Sequence, residues 1–223
     1  MSPARGIAAV LFAVVALLGA AAPAASHPLG NFSINQYSAL RVGASSVDVR
    51  YVVDMAEIPT FQELREQGIP ADPMHADVGR YVVRQADALG RGLRLEVDGV
   101  PVTLRGRSAR IAFPPGAADL PTLRLTLELS ADLPGGGAPR RIAYRMENFA
   151  GRAGWREIVA AAASGARVTE SSVPAQDQSA ELTDYPRDLL ESPPQVVAAV
   201  LVAEPVEARV AAETGAPGVV SLP

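Results

Sequence analysis

The chain has 223 residues, 48% of them apolar and 20% charged, enough for one sizeable domain with a packed core and too apolar for wholesale disorder. There is no cysteine, which excludes disulfides, thiolate metal sites, lipoprotein anchoring and cysteine nucleophiles. Net charge is −4 and all twenty basic residues are arginines, scattered along the chain, so nucleic acid and anionic lipid are poor partners.

Residues 1–26 read as a signal peptide. Arg5 supplies the positive start, Ile7–Ala22 the apolar run, and Pro23 breaks it ahead of Ala24, Ala25 and Ser26, the small residues a signal peptidase reads. The competing reading, an uncleaved anchor, has an apolar run short for a full span. The only other apolar stretch, Val196–Val210, is interrupted by Glu204, Pro205 and Glu207. The domain boundaries expected are a leader at 1–26, an exported β-rich domain at 27–190 and a proline- and alanine-rich tail at 191–223. Location is expected outside the cell or in its envelope, on the outer face of the cytoplasmic membrane.

Behind the leader, Asn31–Val42 reads as a strand with a bulge where its apolar phase shifts, and Val47–Met55 as its hairpin partner, with Val47, Val49, Tyr51 and Val53 on one face. The period then changes to helical. Ile58–Gly68 carries Thr60 and Glu63 at capping-box spacing and Gly68 as a stop. Ala71–Gly90 has Asp72 as cap and Pro73 at the first position, with Met74, Val78, Tyr81, Val82 and Leu89 as one apolar stripe.

Leu93–Arg105 predicts a hairpin on Asp98-Gly99, pairing Val97 with Val100, Leu95 with Val102 and Leu93 with Leu104. Strands follow at Ser108–Phe113, Thr122–Leu129, Arg141–Asn148, Gly154–Ala162 and Ala166–Pro174, with a loop at Gly135–Gly137; from Ala175 the chain turns polar and proline-punctuated. The fold class predicted is α+β, mainly β: an antiparallel β-sandwich with a helical insertion at about 58–90.

His27 and His75 are the only histidines. Cleavage after Ser26 would make His27 the first residue, offering its α-amine and imidazole Nδ1 to one ion as a two-nitrogen chelate. Pro28 has no amide hydrogen to lose, so other ligands must come from elsewhere in the fold; imidazole and amine nitrogens suit Ni, Co, Cu and Zn. An antiparallel first hairpin brings residues near 27–31 to the end of the second strand, where Asp54 and Glu57 stand. His27, Asp54 and Glu57 are therefore the candidate metal ligands. Against this, a histidine can simply start the mature chain, and the acids can be solvated or satisfy backbone N–H groups.

His75 reads as a surface or half-buried residue and Trp155 as a core anchor. No nucleophile elbow, phosphate loop or dinucleotide fingerprint occurs, so no enzyme and no small-molecule substrate is expected.

The segments "HPLGNFSINQYS", "VRYVVDMAEIPTFQEL", "NFAGRAGWREIV" and "SSVPAQDQSAELTDYPRDLL" resemble the extracytoplasmic N-terminal domain of nickel/cobalt transporters of the high-affinity (NicO-like) class, over roughly His27–Leu190. In such relatives a membrane portion moving Ni²⁺ or Co²⁺ follows; here no spanning helix is expected, so the resemblance implies an accessory domain, either stand-alone or cut from a longer frame. The partner implied is a membrane metal transporter, the missing C-terminal part of the same gene included. The alternative from another class is a structural or protein-interaction domain that docks on a transporter or envelope partner without metal.

Overall fold

Ile34 faces Met55 and Val42 faces Val47, so the first two strands form one unbroken antiparallel ladder. The computed structural model describes residues 27–133 and 138–206. The expected leader, the glycine loop at 135–137 and the tail beyond 206 lie outside the described residues. In chain order the elements are β1 (Ile34–Val42), β2 (Ser46–Met55), α1 (Glu57–Gln67), α2 (Ala76–Arg91), β3 (Leu93–Val97), β4 (Val100–Val102), β5 (Arg105–Ala112), β6 (Leu123–Asp132), β7 (Arg140–Met146), β8 (Arg156–Ala162), β9 (Ala166–Ser171) and β10 (Ala198–Pro205). They form two five-stranded sheets, β5-β6-β2-β1-β8 and β4-β3-β7-β10-β9. The fold is α+β and mainly β, with antiparallel sheets and a helical segment between β2 and β3, as the sequence predicts.

One core joins both sheets. Val47, Val49, Tyr51 and Val53 of β2 meet Leu125, Leu127 and Leu129 of β6, Ile142 and Tyr144 of β7, and Leu201 of β10. Burying each large aliphatic side chain is worth about 1.5–3 kcal/mol, against about 0.2–1 kcal/mol for a cross-strand pair, so burial sets the register. Helix α2 lies against β3, β5 and β6 and contributes Val78, Tyr81 and Leu89 to that core. A polar thread crosses the interior as well. Ser38 Oγ is 2.8 Å from the Tyr144 hydroxyl, and Tyr51 donates to Gln36 Oε1 at 2.6 Å.

Several local expectations differ from what forms. β1 has no bulge; its apolar phase shifts because both faces are buried. β1 pairs with β8 in parallel, the exception to an otherwise antiparallel architecture. Thr60 does not cap α1: the cap position is Ala56, with no side-chain bond, and the Thr60 hydroxyl donates back to Met55 O inside the first turn. Gly68 does end that helix, at φ 62°.

Helix α2 starts five residues later than expected. His75, not Asp72, is its cap, accepting from the Asp77 N–H through Nδ1 at 3.2 Å, while Asp72 closes the turn before it. Met74 therefore falls off the apolar stripe and is 88% exposed. In the Asp98-Gly99 hairpin both turn residues have positive φ and two of the three expected pairs form. The third does not, because β4 ends at Val102 and Leu93 pairs with Met146 of β7.

The expected boundary at 190 falls inside the domain. Residues 198–205 form β10, which lies between β7 and β9 in the second sheet. Its alternating burial was hidden in the sequence by small alanines on the buried face. Among the described residues no helix is long and apolar enough to cross a membrane.

Candidate functional site at the start of the first sheet

The end of the first hairpin is where the three candidate residues lie. Asn35 of β1 stands opposite Asp54 of β2, and Ala56 N–H bonds back to Ser33 O and Ile58 N–H to Asn31 O, so the entry to α1 is tied to the segment before β1. That segment folds over the strand end. Gly30 N–H donates to His27 O at 2.8 Å, and Leu29 packs against the cluster of Tyr37, Val52, Trp155, Val159 and Leu182.

His27 is thereby carried onto Asp54, with Nε2 3.0 Å from Asp54 Oδ2; the two side chains are only 6% and 11% exposed. Ser33 Oγ lies 3.1 Å from His27 Nδ1 and also donates to Gly30 O at 3.0 Å. A hydroxyl has one proton. With that proton on Gly30 O, Ser33 accepts from Nδ1, and Nε2 in turn donates to Asp54. Asn35 Nδ2 sits 3.1 Å from Nε2, its orientation set by Oδ1, which accepts the Trp155 N–H at 2.9 Å. That approach needs Gly154, at φ 148°, where a Cβ would meet Ile34 O at 2.2 Å.

Glu57 is the first residue of α1 and is 1% exposed. Its Oε1 accepts the Ala117 N–H at 2.7 Å, in a cradle where a Cβ on Gly116 would stand 2.7 Å from the same oxygen. Burial pushes this carboxyl up, but the N–H groups of Ala117, Glu57 and His27, together with the His27 ring, outweigh it and leave it below the ordinary 4.5. Oε2 has no hydrogen-bond partner. Tyr185 closes the corner from outside, edge-on to Trp155 at 5.3 Å and to His27 at 6.1 Å between ring centroids. Burial and the Asp54 carboxylate push its phenol far up, and its hydroxyl closes no well-formed hydrogen bond.

Buried polar atoms without partners are rare in folded proteins. Among the described residues there are three such side-chain atoms, and two of them, Glu57 Oε2 and the Tyr185 hydroxyl, belong to this corner.

Tyr185 is delivered by a segment that lies across the outer face of the first sheet. Glu157, 4% exposed, accepts from Trp155 Nε1 at 2.8 Å, Gln178 N at 2.6 Å and Ser179 Oγ at 2.5 Å. The next three residues, Ala180, Glu181 and Leu182, all have left-handed φ of 44°, 57° and 69°, each costing on the order of 1 kcal/mol. Arg124 holds the carbonyls of Glu181 and Leu182, and Leu182 is buried beneath.

Of the predicted residues, the structure brings His27 and Asp54 into contact and sets Glu57 beside the His27 backbone. Among the described residues, no three His, Asp or Glu side chains converge closely enough to enclose an ion. Sequence reasoning missed Ser33, Asn35 and Tyr185. Asn35 left a faint signal as a polar residue in a strand with no apolar alternation; Tyr185 left none, since only the tertiary fold returns it to β1. His75 is a helix cap and Trp155 is fully buried. The expectation that no carboxylate positions a histidine beside a serine is overturned: Ser33, His27 and Asp54 stand in line. Ser33, however, is 2% exposed and touches His27 through Nδ1, the nitrogen opposite the one a serine nucleophile uses.

No family model matches this chain, and a search of curated proteins finds no match.

Proposed function

We propose that this chain is an exported accessory domain of a nickel/cobalt transport system, taking Ni²⁺ or Co²⁺ at the His27 corner beside a membrane metal transporter. The observation that supports it is the buried contact of His27 with Asp54 next to an orphaned carboxylate oxygen of Glu57. An imidazole nitrogen with carboxylate oxygens suits divalent first-row ions. The side chains alone are too few, so the donor set includes the α-nitrogen of a chain processed before His27. The ion displaces the hydrogen bonds of Ser33 and Asp54 to the ring. The choice of nickel and cobalt rests on the resemblance of the "HPLGNF" and "DMAEIPTF" segments. No catalytic activity forms part of this reading.

Calorimetry with Ni²⁺ on the exported product tests it. One ion per chain is expected, with binding lost in His27→Ala and weakened about tenfold in Asp54→Asn, the usual effect of removing a carboxylate that orients or ligates. Absence of binding by the unaltered product would overturn the reading.

A second reading has its own observation: both His27 ring nitrogens already have protein partners. On that reading the corner is a permanent structural latch, and the domain docks on a transporter or envelope partner without metal. A metal-free pull-down of a membrane transporter, unchanged by adding Ni²⁺, distinguishes it.

A further inference from the structure

The orphaned oxygen of Glu57 also has a consequence that needs no metal. A carboxylate 1% exposed, with one oxygen on a backbone N–H and the other bare, is costly to leave unsatisfied. The His27 backbone nitrogen acts on this carboxylate, and its place is set by groups that follow it in the chain. Its own carbonyl is held by Gly30 N–H, its ring by Ser33 and Asp54, and Leu29 is packed under Tyr37 and Trp155. As an amide, that nitrogen offers one donor and no charge. As a free α-amino group it offers three donors and a full positive charge.

We propose that proteolytic removal of the residues ahead of His27 creates an α-ammonium group that pairs with Glu57 Oε2, a buried ion pair that latches the new N-terminus onto the start of α1. Cleavage hydrolyses the Ser26–His27 peptide bond; water supplies the hydroxyl to Ser26, and the released amine takes up a proton. The proposal rests on the exported, processed form of the reading above and not on its metal. The two uses of the nitrogen exclude each other, since an ammonium has no lone pair for an ion, so a metal must displace this proton and break the latch.

The chain contains no lysine, so in the processed product the α-amine is the only primary amine and an amine-acylating reagent reports on it alone. The experiment uses the product exported from the full-length gene, with the first residue read by intact mass, in EDTA so that metal plays no part. In the folded product, acylation should run at least about tenfold slower than in the same product unfolded in guanidinium, because a seated amine reacts only on local opening. Glu57→Gln, which keeps the shape and the Ala117 bond, should remove most of that protection.

The product should also melt about 4–8 °C above the uncleaved precursor, the shift a single buried contact of this kind gives a domain of this order, and Glu57→Gln should abolish the gap. A first residue other than His27, or equal acylation rates in folded unaltered and Glu57→Gln proteins, would overturn the latch. If Glu57→Gln does not fold, equal melting of precursor and product overturns it and a gap supports it. Neither result depends on whether Ni²⁺ binds, which calorimetry decides separately.

Discussion

The two sheets use the same strand geometry in opposite ways. In the second, β3 and β7 alternate buried and exposed residues, with Arg94, Glu96, Arg141 and Arg145 turned to solvent. In the first, the initial five residues of β1 and the last five of β2 are buried on both faces. The difference is the segment through 173–190, which covers the outer face of β1, β2 and β8 and packs Leu182, Tyr185 and Leu189 on Tyr37, Val52 and Trp155. A covered outer face turns its polar residues into interior ones. Asn35, Ser38 and Asp54 on β1 and β2, and Glu157 on β8, are all under 9% exposed, and each must find a partner inside. The candidate site lies in the sheet where that demand exists.

The strongest way to break this contrast is to remove its anchor. Trp155→Ala takes away a fully buried ring and the indole donor of Glu157; a loss of about 3–5 kcal/mol is expected in urea unfolding. A loss below about 1 kcal/mol would mean that the covering segment contributes little and that the sheets differ only in composition.

A smaller effect tests the interior polar thread. Gln36→Leu leaves the Tyr51 hydroxyl buried without its acceptor, which should cost about 1–3 kcal/mol. Adding Tyr51→Phe should recover most of it, since removing both partners is far milder than removing one. If the double variant is no more stable than the single, packing and not hydrogen bonding governs that position.

The smallest effect belongs to the second sheet. Gly99→Ala meets open space at φ +79°, so only the backbone penalty of about 1 kcal/mol applies. A much larger loss would show the second sheet to be as tightly interlocked as the first.

Legibility follows the same division. The Asp98-Gly99 turn, the Val47–Val53 face and helix α2 are stated in the sequence because each depends on neighbours a few residues away. The pairing of His27 with Asp54 was also readable, because a hairpin register carries one strand's start to the other's end. β10 was missed, and the domain ended too early, because a short alanine-rich strand has a weak period of its own and acquires meaning only between β7 and β9. The false bulge in β1 has the same origin: alternation fails when a distant segment buries the second face.

What the amino-acid sequence by itself determined was local: turn chemistry, helical and strand periods, the absence of thiols, and an imidazole placed one hairpin away from two acids. Only the tertiary structure decided that the segment near Tyr185 returns to cover β1, that Glu57 keeps one bare oxygen, and that Ser33 and Asn35 hold the His27 ring. Those outcomes depend on contacts between residues up to more than a hundred positions apart, such as Asn35 with Trp155. Such contacts leave no periodic trace, because each involves a single side chain and is set by how whole sheets pack.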